Sequence, residues 1–375
     1  MNQIASPVTA PQLDGVVATE SSICFLSADD NRLAYRGYDV VDLARRATYE
    51  ETAFLLLAGR LPNRAELRDF ARSLKGFLKL PRPVLKIARD AAGADPMTAL
   101  RTAVSALGLE PVVGEGPAGL PAEGVALVAR VPVLVATLYR LKRGERPLAP
   151  RRGLNLAANL LYLLHGREPK AEVARAFDAA LILRADNELN PSTFAARVAA
   201  ATKADLAGCI TAALAALAGP RHGGHSLAVY RLLEQIGTPE RVDEVVRERL
   251  AGSRGFPGFG HPVYRGEDPR TAAMREAAES AAAAAGRPEW MMLARAVEAR
   301  VHDETGLHPN VDFYLAPLYR ALEIPPELFT PLFAAARISG WVAHVLEQYA
   351  QEGLIRPRAA YVGPTRLEFR PIGRR

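Results

Sequence analysis

Four segments of this chain set titratable side chains beside apolar helical runs and glycine-rich turns. The first, residues 219–226, follows a very apolar stretch. It holds His222 at an element junction, where glycines let backbone approach a ligand closely. The second, residues 258–270, carries His261, Arg265 and Arg270 behind Gly258 and Gly260. The third, residues 308–314, sets Asp312 among apolar neighbours, where desolvation is expected to raise its pKa toward that of a working base. The fourth is the C-terminal set Arg337, Arg356 and Arg358. Each has a plain structural alternative. A histidine at a helix end is often a cap, Asp312 could be the N-cap of a helix over 313–322, and late arginines are usually solvated. Taken together, two imidazoles, one carboxylate and several guanidinium groups suit proton abstraction next to a carbonyl, on a substrate carrying carboxylates or phosphates. No HxxxH spacing or paired carboxylates accompany these residues, so a metal site is not expected.

The elements that must position them are helical. Alternating strand patterns are confined to residues 15–19 and 22–26, followed by a turn at Asp29-Asp30-Asn31. From Asp39 onward the apolar period fits helices over 47–57, 125–142, 153–164, 170–183, 193–217, 227–235, 239–250, 271–285, 288–302, 313–322 and 327–350. The fold class is all-α. Asn190-Pro191 reads as an N-cap with proline in the first helical position, and Gly219-Pro220 as a stop. Residues 252–269 form a long aperiodic loop, a feature that is usually functional inside a helical protein. No fixed-period repeat is visible, which excludes a solenoid.

At 375 residues the chain exceeds the size of one ordinary hydrophobic core, so two domains are expected. No apolar run reaches the ~18 residues of a bilayer span, and residues 1–12 lack the pattern of a signal peptide, which predicts a cytoplasmic protein. Cys24 and Cys209 alone cannot build a disulfide framework or a zinc site and are expected to be reduced, partly buried thiols. Formal net charge is +6, with 41 arginines against 6 lysines. The arginines are scattered and no aromatic-basic module interleaves them, so nucleic acid is not the expected partner. Arginine's bidentate geometry points instead to small anions.

These segments carry a resemblance. GPRHGGHS (219–226) is similar to the GPLHGGAN pattern of the citrate synthase family. GFGHPVYRGEDPR (258–270) resembles its GFGHxVY-x-x-x-DPR segment, and PNVDFY (309–314) its aspartate segment. ISGWVAHVLEQ (338–348), RPRAAYVGP (356–364), SSICFL (21–26), YRGYDVVDLA (35–44) and LLLAGRLP (55–62) follow in family order, and residues 80–119 are the least similar stretch. The resemblance implies an all-α homodimer with a large domain over 1–222 and 324–375 and a smaller closing domain over 223–323. It implies that Asp312 takes a proton from the methyl group of acetyl-CoA, that His222 hydrogen-bonds the thioester oxygen, and that His261 polarises the oxo group of oxaloacetate. Citryl-CoA would form and be hydrolysed to citrate and CoA. Arg270, Arg337 and Arg356 would bind the dicarboxylate, Arg356 from the neighbouring subunit. Arg265, with Gly258 and Gly260, would hold CoA. The thioester is a substrate, and no metal or tightly bound cofactor is implied.

Two departures stand out. The family's ADHELN reads Ala185-Asp186-Asn187-Glu188-Leu189-Asn190 here, so Asn187 replaces an oxaloacetate-binding histidine and cannot carry positive charge. His225-Ser226 stands where Ala-Asn is usual. The leading expectation is citrate synthase activity. The same chemistry with propionyl-CoA, as in 2-methylcitrate synthase, is the first alternative. A low-activity paralogue with a regulatory or binding role is the second.

Overall fold

The computed structural model describes residues 16–261, 263, 264 and 266–375. A small antiparallel sheet, ordered β1-β2-β3, opens it: β1 (Cys24–Ser27), β2 (Arg32–Tyr35) and β3 (Tyr38–Asp39). Sixteen α-helices follow among the described residues. They are α1 (Val40–Arg46), α2 (Tyr49–Ala58), α3 (Arg64–Phe77), α4 (Arg82–Ala91), α5 (Pro96–Ser105), α6 (Ala122–Lys142), α7 (Leu156–His165) and α8 (Ala171–Leu183). The second half holds α9 (Pro191–Ala201), α10 (Leu206–Leu217), α11 (His225–Ile236), α12 (Val242–Ala251), α13 (Thr271–Ala285), α14 (Glu289–Thr305), α15 (Val311–Ala321) and α16 (Phe329–Ala350). The all-α expectation holds.

Local chemistry starts these helices. Thr48 with Glu51 and Asn63 with Glu66 close reciprocal capping boxes at α2 and α3. Asn155, Asn190, Asp205 and Asn310 accept backbone N–H groups at the starts of α7, α9, α10 and α15, with Pro191 in the first turn of α9 as expected. Because Asn310 caps α15, Asp312 is not its N-cap and its carboxylate is free for other work.

Three sequence expectations are corrected. The single helix over 193–217 is two, broken where Lys203 takes φ +61° and Asp205 begins a new cap. Residues 16–19 are irregular rather than a strand, and Gly15 lies outside the described residues. Helix α6 is 21 residues long with mean hydropathy 1.6, long and apolar enough to cross a bilayer, although no such run was expected. It is instead mostly buried in the protein, packed by α3, α5, α7 and α16. Helices α3 to α5 fill a stretch that periodicity leaves unassigned. In α3 and α4 only Phe70, Leu74, Val84 and Ala88 are buried, too thin a stripe to read in a charged sequence.

The buried apolar side chains form one connected cluster from Ile23 to Val345. Helix α16 is its spine, touching α2, α6, α9 and α10, while α13 packs between α8 and α15. Both cysteines are buried and free. These contacts bring the end of α8, the start of α9, the α10–α11 turn, the start of α15 and the middle of α16 to one place.

One polar feature inside the core has a consequence for stability. Glu50 and Asp178 are both buried; Glu50 accepts from the Leu156 amide at 2.7 Å and Asp178 from the Tyr49 amide at 3.1 Å. Burial, and then the neighbouring Glu50, push the Asp178 carboxyl up to about 7. The unfolded carboxyl ionises near ~3.9, so between that pH and about 7 the unfolded state binds fewer protons and stability falls as pH rises. Asp178→Asn keeps an acceptor oxygen and removes this loss. The melting temperature of the variant relative to the natural protein should therefore rise by roughly 2–4 °C between pH 5 and pH 8. A difference that is flat or declines with pH would contradict the buried-acid account.

Candidate active site

Five segments meet at the site. The turn between α8 and α9 supplies Arg184, Asp186 and Asn187, and the first turn of α9 supplies Ser192. Glu188 within it takes φ +54°, and its amide donates to Asp186 Oδ2 at 3.2 Å. Helix α16 passes directly against this turn at Gly340, where a Cβ would lie 2.3 Å from the Ala185 carbonyl oxygen and 2.5 Å from Asp186 Oδ1. Only glycine allows that approach, and it sets Arg337, Trp341 and His344 around the turn.

His222 follows α10. The amide of Ser192, which can only donate, lies 3.3 Å from His222 Nε2, and the Ser192 hydroxyl lies 2.8 Å from it. The amide is shared with Asn190 Oδ1 at 3.2 Å, and its direction toward Nε2 assigns that nitrogen as an acceptor and the proton to Nδ1. Trp341 Nε1 donates to the same hydroxyl at 3.2 Å, fixing the serine from the α16 side. His261 follows the same logic. Its Nδ1 accepts from the amides of Val263 and Tyr264 at 3.1 and 3.2 Å, leaving the proton on Nε2. Burial pulls both imidazoles down to about 4, with Arg337 next for His222 and Arg270 for His261. Both rings are neutral hydrogen-bond donors at neutral pH.

The loops bearing His261 and Asp312 are clipped together. Asn310 donates its amide to the Gly258 carbonyl and its side chain to that of Gly260, both at 2.8 Å, and the Gly260 amide donates to the His308 carbonyl at 2.9 Å. Gly258 has φ +82°, and a Cβ there would meet Val229 at 2.7 Å. Gly258 and Gly260 thus hold the register of the two catalytic candidates.

Asp312 departs from expectation. Burial acts to raise its pKa, but the Arg184 guanidinium, a hydrogen bond from Ser226 Oγ at 2.5 Å and nearby His225 reverse that, and the carboxyl lies well below the usual range. Arg184 and Ser226 both bind Oδ1. Oδ2 has no partner among the described residues. The group is a firmly ionised carboxylate with one oxygen committed and one available.

Arg270 is held bidentately by Asp268, at 2.9 and 2.8 Å; burial opposes its charge, and the pairing more than restores it. Among the described residues Arg337 has no carboxylate directly bonded. Its Nε donates to the Arg184 carbonyl at 2.7 Å and its guanidinium lies 4.7 Å over the Phe333 ring. Burial pulls its pKa down to about 10 against the attraction of Asp186. Asn187 Oδ1 is buried without a partner among the described residues. The structure therefore brings His222, His261, Asp312, Arg270 and Arg337 within electrostatic reach of one another. It does not bring Arg356 or Arg358 there: both are exposed in the irregular tail after α16. Arg265 lies outside the described residues. Sequence reading passed over Ser192 and Arg184. Ser192 is signalled by its place two residues after the Asn190 cap; Arg184 has no signal beyond being an arginine at the end of an apolar helix.

A family model described as citrate synthase, C-terminal domain, matches residues 12–358. Citrate synthase 2 of Bacillus subtilis (strain 168) is 42% identical over 97% of this chain and 98% of its own. A 2-methylcitrate synthase of Mycobacterium tuberculosis is 37% identical over 95% of this chain and 93% of its own. The citrate synthase of Thermoplasma acidophilum, solved as a ternary complex with carboxymethyl coenzyme A and oxaloacetate, superposes with a TM-score of 0.86 at 30% identity, covering 96% of this chain and 97% of the other. The chain belongs to the citrate synthase family.

The Ser192 contacts give this site a test of its own. Removing the hydroxyl frees His222 Nε2 on one side and should lower kcat about 10-fold, the scale of one neutral hydrogen bond. Ser192→Ala should leave the KM for the 2-oxo acid near its natural value, since Ser192 touches the imidazole rather than the arginines. A KM that rises while kcat holds would mean that Ser192 serves binding.

Proposed function

We propose that this chain is an acyltransferase that condenses acetyl-CoA with oxaloacetate to give citrate and CoA. The observation that carries this reading is the ionised Asp312 with a free Oδ2, within the field of two neutral imidazoles. Asp312 Oδ2 takes a proton from the thioester methyl group. The C–H electron pair moves onto the thioester oxygen, where the His222 Nδ1–H donates to the developing charge. The nucleophilic carbon attacks the oxo carbon, polarised by the His261 Nε2–H. Water then cleaves the citryl thioester and releases CoA. Arg270 and Arg337 suit the two carboxylates, and Asn187 offers a neutral donor beside them. Gly258, Gly260 and Arg265 are assigned to the CoA side. The segment 223–323 would move as the closing domain and exclude water from the enolate.

A homodimer completes the site in this reading. Residues 351–375 leave the body as an irregular tail, with Val362 96%, Phe369 83% and Ile372 82% exposed. Apolar side chains this exposed fit a tail that packs on a second copy, which would carry Arg356 to the neighbouring site. Burial of α6 within the core fits a cytoplasmic enzyme.

Release of free CoA thiol, measured with acetyl-CoA and with propionyl-CoA, each paired with oxaloacetate, tests the function. Acetyl-CoA should give the higher kcat/KM, and Asp312→Asn should lose ~10²–10⁴-fold in kcat. Propionyl-CoA preferred over acetyl-CoA would assign the 2-methylcitrate reaction. No thiol release with either would leave a binding or regulatory paralogue.

The assembly is tested by complementation. Arg356→Ala and His222→Ala chains, each inactive alone, should regain activity when refolded together, because a mixed dimer rebuilds one complete site. Verified mixed dimers without recovery would place Arg356 outside the neighbour's site.

A further inference from the structure

The strongest feature not used by the reaction scheme above is Arg184. It ends α8, and its side chain is 3% exposed beside an Asp312 side chain that is 18% exposed. Its Nη1 bonds Asp312 Oδ1, the same oxygen that accepts from Ser226. Its guanidinium carbon sits 4.1 Å over the Phe333 ring, the ring that also carries Arg337 and stands edge-on to His222, with centroids 6.0 Å apart. Its Nε is buried without a partner among the described residues. The charge is therefore held by packing on one flat side and directed at a single carboxylate oxygen.

We propose that Arg184 is the positioning residue for proton abstraction, anchoring Asp312 through Oδ1 so that Oδ2 alone meets the substrate C–H, and balancing the negative charge as it passes from Asp312 to the enolate.

The step balances within the site. The substrate C–H bond breaks and an O–H bond forms at Asp312 Oδ2. The electron pair moves to the thioester oxygen, so the negative charge leaves Asp312 and appears beside the His222 donor. Arg184 lies close enough to influence both His222 and Asp312, so its cation loses one anionic neighbour as it gains another. A base with two equivalent oxygens could rotate about its side-chain torsion. One pinned by a planar guanidinium and a hydroxyl cannot, and a fixed approach of reacting atoms is a large part of enzymic rate. This assignment rests on Asp312 being the base.

The test uses the full-length protein and two variants, Arg184→Gln and Arg184→Lys. The measurements are kcat, the oxaloacetate KM, the pH dependence of kcat, and the deuterium isotope effect with acetyl-CoA labelled at the methyl group. Arg184→Gln should lower kcat ~10–100-fold, less than the ~10²–10⁴-fold expected on losing the base itself. It should raise the isotope effect as proton abstraction becomes limiting, and keep the oxaloacetate KM within about 2-fold. Without the cation, burial dominates Asp312, so the acid limb of kcat should move to higher pH. Arg184→Lys keeps the charge but not the flat face that packs on Phe333: its acid limb should stay at the natural position while kcat falls several-fold. Should the glutamine variant fail to fold, the lysine variant decides alone. Unchanged kcat and isotope effect in either folded variant overturn the proposal. So does a raised oxaloacetate KM at unchanged kcat, which would make Arg184 a carboxylate-binding residue. A natural protein that releases no CoA would defeat the functional reading itself, whereas an active one with insensitive variants defeats only the role of Arg184.

Discussion

A guanidinium group buried among apolar helices is costly unless acceptors or an anion take up its charge. Four are buried around this site: Arg184, Arg197, Arg270 and Arg337. Arg270 is answered bidentately by Asp268 and Arg184 by Asp312. Arg197 is answered by Glu347 at 2.6 Å and Gln348 at 3.0 Å. Among the described residues Arg337 alone has only a carbonyl, an aromatic face and the more distant Asp186. The four guanidiniums are thus matched by four carboxylates, with Arg337 the one whose anion, Asp186, is not directly bonded. Arg337 and Arg270 add to burial in holding the two imidazoles neutral, and Arg184 keeps Asp312 ionised, so the protonation states that the chemistry needs depend on how the arginines are paired.

That pairing constrains the backbone around it. The α8–α9 turn and the first turn of α9 must present Arg184, Asp186 and Ser192 within a few residues, and they do so with Glu188 in the left-handed region, at a cost of about 1–2 kcal/mol. Asp186 offsets this by accepting the Glu188 amide, and it is fixed in turn from α16. Arg197 can only donate, so His344 Nδ1, 3.0 Å away, accepts and His344 Nε2–H donates to Asp186 at 3.3 Å. A chain from Glu347 through Arg197 and His344 to Asp186 thus ties α9 and α16 to the turn. Gly340 is what lets α16 come close enough to take part.

Much of this is legible in the sequence. Asn190-Pro191 announces the start of α9 because its capping chemistry is local, and 252–269 announces a loop because glycine and proline defeat helical period locally. His222, His261, Asp312, Arg270 and Arg337 could be named from their segments, and the structure gathers all five. What sequence could not show depends on contacts made at a distance. The direction of the Asp312 shift was misjudged because an apolar neighbourhood is visible in sequence, whereas Arg184, 128 residues away, is not. Ser192 was overlooked because a serine in the second position of a helix is ordinary until an imidazole lies against it. The break at Lys203 escaped because the residues on both sides are equally apolar and helical.

The departures from the family pattern take on a physical connection in this light. Replacing a histidine by Asn187 removes a group that could be charged from the oxo-acid side, and the amide that remains has an oxygen buried without a partner among the described residues. That orphaned acceptor cannot answer a carboxylate; only the Nδ2 side of the amide can. Three arginines, Arg184, Arg270 and Arg337, lie near enough to repel. Ser226, the second departure, donates to the same Asp312 oxygen as Arg184, so the carboxylate is held by one charged and one neutral donor. A site built this way presents guanidinium groups, two of them stacked on Phe333 and one clamped by Asp268, whose charge does not vary with pH over the range where an imidazole would titrate.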